Sequence, residues 1–214
     1  MRTAYFLDHK LPEALTGNPL QTKLAEMLKS LTGMTTPLIA GIINGAVTCM
    51  EDDEVYLEVG CCQGASLIGA LLDNDKRAVA VDNFSEFHET CNLAAFEKNI
   101  RAHGVEERIT FYRNDYRQFF ASPPPMKVGV YYYDGAHDYA SEYAGIKAGL
   151  PFLVDGGLVL VDDTNWPDTS QAVNDILKEF ACLTQVFCVR TSVRPNAYFW
   201  NGFAILARNV NLAK

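Results

Sequence analysis

Two clusters of acidic residues are the parts of this sequence best equipped for chemistry. The first is Asp134, His137, Asp162, Asp163 and Asn165, in the runs YYYDGAHDY and LVLVDDTNW. Three carboxylates with no lysine close by in sequence repel one another unless a cation or a proton is present. Oxygen donors suit Mg²⁺, Ca²⁺ or Mn²⁺. Asp134, Asp162 and Asp163 are therefore candidate ligands for a metal that would orient a hydroxyl and lower its pKa. A second reading needs no metal. An imidazole of pKa ~6.5 is matched to taking a hydroxyl proton at neutral pH, which makes His137, with Asp134 beside it, a candidate catalytic base. A third reading is structural: Asp134 and His137 cap the helix that follows and brace its loop. The residues alone leave the three open.

The second cluster is Glu58-Val-Gly60-Cys-Cys-Gln-Gly64, followed by Asp82. Gly60 permits a tight turn, and Gly64 lets a helix start close to a ligand. Backbone amides at that helix start suit a polar or anionic group. An acidic side chain in the place of Asp82, at the end of the next strand, is the usual acceptor for ribose hydroxyls.

These residues act together only if the elements around them bring them to one place. Short apolar runs predict strands over Val55–Val59, Ala78–Val81, Ile109–Tyr112, Val128–Tyr133, Gly157–Val161, Cys182–Val189 and Phe203–Ala207. Between them, amphipathic stretches predict helices over Ser66–Leu72, Glu86–Ala102, Tyr139–Leu150 and Thr169–Phe180. Such alternation predicts an α/β fold, a Rossmann-like, seven-stranded, mostly parallel sheet with helices on both faces. The last two strands are joined by a loop too short for a crossover helix, so the last strand is expected to run antiparallel. Upstream, Leu20–Leu31 and Leu38–Cys49 have helical spacing and predict a small N-terminal helical cap over 1–54, within the same domain as 55–214. Residues 1–17 read as irregular, and Glu51-Asp52-Asp53-Glu54 as a solvated turn. The apolar helix 38–49 has two possible partners, the main sheet or a second subunit in a homodimer. In open parallel sheets ligands bind beyond the carboxyl ends of the strands, and both clusters fall there.

Nicotinamide dinucleotides and S-adenosylmethionine both use this layout. A dinucleotide fingerprint is GxGxxG, with the pyrophosphate on the helix terminus. Gly60-Cys-Cys-Gln-Gly64 does not match it, and Glu58 sits poorly beside a pyrophosphate. A cationic amino-acid ligand suits it better. On these residues, and on YLEVGCCQGASL, AVAVDNF, YYYDGAHDY and GGLVLVDDTNW, the run from Val55 to Ala207 resembles a class I S-adenosylmethionine-dependent methyltransferase. It looks most like the bacterial small-molecule O-methyltransferases whose fourth strand ends in Asp-Gly-x-His-x-Tyr. The resemblance implies that Glu58, Gly60 and Gly64 line the methionyl side of the cofactor, with Asp134 also a cofactor-binding candidate. It puts Asp82 on the ribose, Asn83 and Phe84 beside the adenosine, and Asn114 and Asp115 at the adenine, with Asp115 also a candidate helix cap. It implies a small hydroxylated acceptor and, because the site resembles that of catechol-type O-methyltransferases, a divalent metal held by an Asp at the end of each of the fourth and fifth strands with a neighbouring Asn or Asp. Trp166, Tyr139, Phe84, Phe87 and Trp200 are candidates for the acceptor pocket. Arg190 and Arg194 are candidates for an acidic acceptor. An oxidoreductase on a similar sheet and a noncatalytic binding module are the competing classes.

Composition narrows the partners. The 214 residues carry 18 Lys plus Arg against 26 Asp plus Glu, a formal net charge of −8. That balance disfavours phosphate backbones and anionic lipid, and no Asn/Asp-Pro-Pro-Tyr base-handling motif is present. Neither a nucleic acid nor a membrane is expected as partner. The six cysteines include no CxxC pair, and a chain this apolar needs no disulfide framework. Residues 1–15 lack the apolar stretch of a signal peptide. The longest N-terminal apolar run, Pro37–Met50, is too short for the roughly 20 residues that span a bilayer. A cytoplasmic protein is expected.

Overall fold

The computed structural model describes the backbone of residues 1–85 and 89–209, and their side chains except at 89–91. Apolar runs rich in β-branched and aromatic residues become strands buried on both faces. The strands are β1 (Val55–Val59), β2 (Arg77–Val81), β3 (Ile109–Tyr112), β4 (Val128–Tyr133), β5 (Leu153–Asp162), β6 (Leu183–Val189) and β7 (Phe203–Arg208). They form one seven-stranded sheet in the order β3-β2-β1-β4-β5-β7-β6. Neighbours from β3 to β5 pair in parallel, and β7 runs antiparallel to both β5 and β6. The expected sheet is found, with its last strand reversed. The chain winds outward from β1 to β3 on one side and restarts at β4 on the other. At such a switch point the connections diverge and leave a crevice beyond the strand ends.

The helices are α1 (Thr3–Tyr5), α2 (Leu11–Thr16), α3 (Pro19–Lys29), α4 (Pro37–Thr48), α5 (Ala65–Leu71), α6 (Glu89–Ala102), α7 (Tyr116–Ala121), α8 (Tyr139–Gly149) and α9 (Pro167–Glu179). Side chains alternate across a strand, so β4 feeds two apolar layers. Val130 and Tyr132 join Leu24, Ile39, Leu67 and Phe96 on one face. Tyr131 and Tyr133 join Phe119, Ile146 and Ile176 on the other. Helix α4 starts at Thr36, whose Oγ1 accepts from the Ile39 amide at 3.1 Å, with Pro37 in the first turn. Every residue from Ile39 to Val47 is buried, against α5 and α3 of the same chain. Asn44 Nδ2 donates to the carbonyls of Gly69 at 3.0 Å and Leu72 at 2.8 Å. The apolar residues of α4 share one layer with Val130 and Tyr132 of the sheet. No helix among the described residues is long and apolar enough to cross a membrane.

Three expectations need correction. Residues 3–16 are helical, not irregular: α1 runs into a π turn (Phe6–Lys10) and then α2. The buried residues Phe6, Leu11 and Ala14 follow that wide turn, so they do not show the 3.6-residue period of an ordinary helix. In the acidic run, Glu51, Asp52 and Asp53 are exposed but Glu54 is buried. Its carboxylate accepts from the Glu51 amide at 2.9 Å and from the Met1 ammonium at 2.6 Å. Strand β5 begins at Leu153 rather than Gly157, through an irregularity in its pairing with Val128 and Val130. The predicted helix 86–102 is found from Glu89, and 86–88, Phe87 included, lie outside the described residues.

Candidate active site

The carboxyl ends of β1, β2 and β4 are tied together one residue past each strand. Gly60 N donates to Val81 O at 2.9 Å, Asp82 N to Tyr112 O at 3.2 Å and Asp134 N to Val59 O at 2.9 Å. Gly60 has φ +89°, and any Cβ there would overlap the Asp134 carbonyl. A side chain is thus excluded by both backbone conformation and space. Gly64, at φ +87°, is the N-cap of α5. Between them Cys62 turns at φ 46°, and its amide donates to Asp82 Oδ2 at 2.7 Å. Asp82 Oδ1 accepts from the Phe84 amide, also at 2.7 Å. One carboxylate therefore fixes the loops after both β1 and β2.

These ends line a cleft of about 480 Å³, within the usual size of a small-molecule site. Gly60, Asp82, Asn83, Phe84, Asn114 and Asp115 line it together with Asp134, His137 and Asp163. Asp115 is also the N-cap of α7, its Oδ1 accepting from the Arg117 amide at 2.8 Å. Trp166 and Trp200 reach the cleft, with Met34 from the loop before α4. That loop is tied to the β6–β7 connection by Thr36 Oγ1, which donates to Tyr198 O at 2.5 Å.

Other predicted residues lie elsewhere. Glu58 is fully buried beneath the loop, accepting from Tyr56 Oη and Ser66 Oγ at 2.6 Å each. Burial pushes its carboxyl up to about 7, against the two hydroxyl donors, with the charge of Asp82 adding to the rise. Gly64 and Asp162 are off the cleft wall as well. Tyr139 turns away to donate to Asp175 Oδ2 at 3.2 Å. Asn165 is committed to the β6–β7 connection, its Nδ2 donating to Thr191 Oγ1 at 2.6 Å. Arg194 donates to the Asn165 carbonyl at 2.8 Å, and Arg190 is exposed.

The first cluster converges on His137 itself. Its Nε2 lies 3.2 Å from Asp163 Oδ2 and 3.8 Å from Asp134 Oδ1, and its Nδ1 lies 3.4 Å from Glu142 Oε2. Burial opposes the charged imidazole, but the Glu142 hydrogen bond and the charges of Asp134 and Asp163 outweigh it and push His137 up to about 9. Burial first, then neighbouring carboxylates, hold Asp134 and Asp162 above the usual carboxylate range. The described side chains do not form the expected divalent-cation group as they stand, although Asp162 Oδ1 and Asp163 Oδ1 are buried without a hydrogen-bond partner among the described residues. Asp134 and Asp163 are turned to the imidazole, Asp162 lies under the wall, and Asn165 is engaged by Thr191. Among the described residues no three His, Cys, Asp or Glu side chains are grouped so that they could hold a metal ion. Sequence reasoning missed Glu142, Arg117 and Ser141. Arg117 Nη2 donates to Ser141 Oγ at 3.1 Å on the cleft wall.

A sequence profile described as a methyltransferase domain matches residues 57–164. A search of curated protein sequences finds no match. Among solved structures, the chain is similar to the O-methyltransferase TomG of Streptomyces achromogenes, involved in tomaymycin synthesis and solved with S-adenosylmethionine. The TM-score is 0.65 and the identity 14%, over 98% of this chain and 99% of that one. It is also similar to an O-methyltransferase from Bacillus cereus solved with S-adenosylhomocysteine, with a TM-score of 0.66 and 12% identity over 90% of this chain and 92% of that one. At these identities the likeness is one of fold.

Proposed function

The chain belongs to the methyltransferase-domain family, and from that premise we propose that it transfers a methyl group from S-adenosylmethionine to a hydroxyl of a small molecule. The observation that carries this reading is that a single cleft joins the Gly60–Asp82 loops to His137. Among the described residues the cleft wall holds four carboxylates, Asp82, Asp115, Asp134 and Asp163, against Arg117 and His137. Such a wall repels a pyrophosphate and attracts a sulfonium and an ammonium, which argues against the dinucleotide alternative.

The donor, when bound, supplies an already activated methyl group. The chain's residues bind, orient and handle one proton. Asp82 accepts one backbone amide on each oxygen and has a further lone pair on each for a ribose hydroxyl. Asn83, Phe84, Asn114 and Asp115 form the adenosine end. Asp134 presents a carboxyl to the cationic end. His137 Nε2 takes the acceptor's hydroxyl proton. Without ligand that imidazole is protonated at neutral pH. A positive charge beside Asp134 competes for the same carboxylates, lowers the affinity of His137 for its proton and readies it as a base. Trp166, Trp200 and Met34 offer an apolar wall for the acceptor.

Titration calorimetry with S-adenosylhomocysteine and NADH tests the reading. S-adenosylhomocysteine is expected to bind in the micromolar range or tighter, and NADH not at all. His137→Asn is expected to keep that affinity and to lower methyl transfer to hydroxylated acceptors by roughly 100-fold or more. Absence of S-adenosylhomocysteine binding by a folded protein would overturn the proposal.

A further inference from the structure

Glu142 has no role in cofactor or acceptor binding as described so far, yet it is a carboxyl with no exposed surface in the first turn of α8. Placing a carboxylate in the interior costs several kcal/mol unless a partner compensates. Its partners are few. Oε2 lies 3.4 Å from His137 Nδ1 and accepts from Thr169 Oγ1 at 3.4 Å. Oε1 is buried and has no hydrogen-bond partner among the described residues. The backbone that carries Glu142 is unusually well anchored. Tyr133 Oη donates to Ser141 O at 3.0 Å and Tyr131 Oη to Gly145 O at 2.8 Å. These bonds pin α8 to β4 on either side of Glu142. Any Cβ at Gly145 or Gly149 would overlap the Tyr133 or Tyr131 ring, so the two glycines let the helix lie against the strand. Thr169, fully buried at the start of α9, fixes the carboxyl from the third side.

We propose that Glu142 is a positioning residue for His137: it accepts a hydrogen bond from Nδ1–H on the buried side and so directs Nε2 to the cleft beside Asp134 and Asp163. The imidazole has two chemically distinct nitrogens, and the hydrogen bond at one decides which faces a substrate. With Nδ1–H committed to Glu142, Nε2 is the nitrogen left to exchange a proton with the acceptor. Thr169 and the two tyrosines hold Glu142, and Glu142 holds the ring. This inference rests on His137 as the proton acceptor of the proposed reaction, but its geometric half can be tested without substrate.

The experiment uses the full chain labelled with ¹⁵N-histidine and the variants Glu142→Leu and Glu142→Gln. Wild type is expected to show a downfield, slowly exchanging imidazole Nδ1–H signal, assigned by its loss in His137→Asn. Glu142→Leu removes the acceptor, and the signal is expected to disappear into solvent exchange. Glu142→Gln keeps an acceptor oxygen and should retain the signal, shifted upfield. In turnover, Glu142→Leu is expected to lower kcat by roughly 10- to 100-fold, with KM and S-adenosylhomocysteine affinity changed by less than about threefold and Glu142→Gln recovering most of the rate. A folded Glu142→Leu protein that keeps the protected signal overturns the proposal, as does a wild type without one. An intact signal pattern in a protein that fails to bind S-adenosylhomocysteine would sink the proposed reaction and leave the positioning contact standing.

Discussion

Glu58→Gln removes a charge while leaving the shape of the side chain. Glu58 is fully buried, and two hydroxyls each lie 2.6 Å from its oxygens. Burial raises its pKa from 4.5 to about 7. The carboxyl therefore binds its proton more tightly in the folded protein than in the unfolded chain. Its stabilising contribution is full below the unfolded value of 4.5 and is lost as pH rises through about 7. Each pH unit of such a displacement is worth ~1.4 kcal/mol, so wild type should lose roughly 3 kcal/mol through this one group. Glutamine has no such titration. Its amide oxygen accepts from one hydroxyl and its N–H donates to the other, whose oxygen has lone pairs free. Urea unfolding of both proteins in steps from about pH 5 to about pH 8 measures the difference directly. The variant should gain on wild type by roughly 3 kcal/mol across that range, most of it between about pH 5 and 7. Titrations shared by both proteins, such as those of Asp162 and His137, largely cancel in the difference. A difference constant to within about 0.5 kcal/mol would refute the reasoning, because it would mean that Glu58 keeps an ordinary carboxylate in the fold.

Asp82→Ala removes the acceptor for the Cys62 and Phe84 amides, each at 2.7 Å. S-adenosylhomocysteine affinity, measured by calorimetry, should fall about 30- to 100-fold, the scale of a lost charged hydrogen bond; a change below about threefold would show that Asp82 does not reach the ligand. Because Asp134 and Asp163 face His137, removing divalent cations with a chelator should leave both S-adenosylhomocysteine binding and turnover unchanged. A fall of about tenfold, restored by Mg²⁺, would put a cation back among these carboxylates.

The parts of the fold legible in the sequence are those where one physical demand dominates. Strand β4 is buried at all six positions, and only an unbroken apolar run such as VGVYYY satisfies that. The residues just after β1, β2 and β4 stood out because chain direction alone sends them to one edge. What stayed hidden depends on tertiary partners. Glu142 sits where a solvated helix would carry a glutamate, and no periodicity distinguishes the two. Glu58 read as a wall residue, because sequence position does not say that Tyr56 and Ser66 will enclose it. Glu54 was lost in an acidic run whose other members are exposed. The expected metal group is not shown among the described residues. Counting carboxylates at strand ends gives the charge to be balanced, but not the direction of each side chain or the identity of the group that balances it.

That balance links the two ends of the proposed site. His137 is held protonated by the same carboxylates that would receive the positive end of the donor. On the proposed reading, a sulfonium and an ammonium near Asp134 take part of the attraction that keeps the proton on the imidazole. The base is then weakest as an acid when the cleft lacks a donor and readiest to take a proton when the donor is in place. Glu142 sits on the opposite side of the ring, inside the protein, where an arriving ligand does not displace it. It keeps Nδ1–H fixed while the proton on Nε2 becomes exchangeable. On that reading, the charge of the donor itself ties acceptor activation to the donor complex.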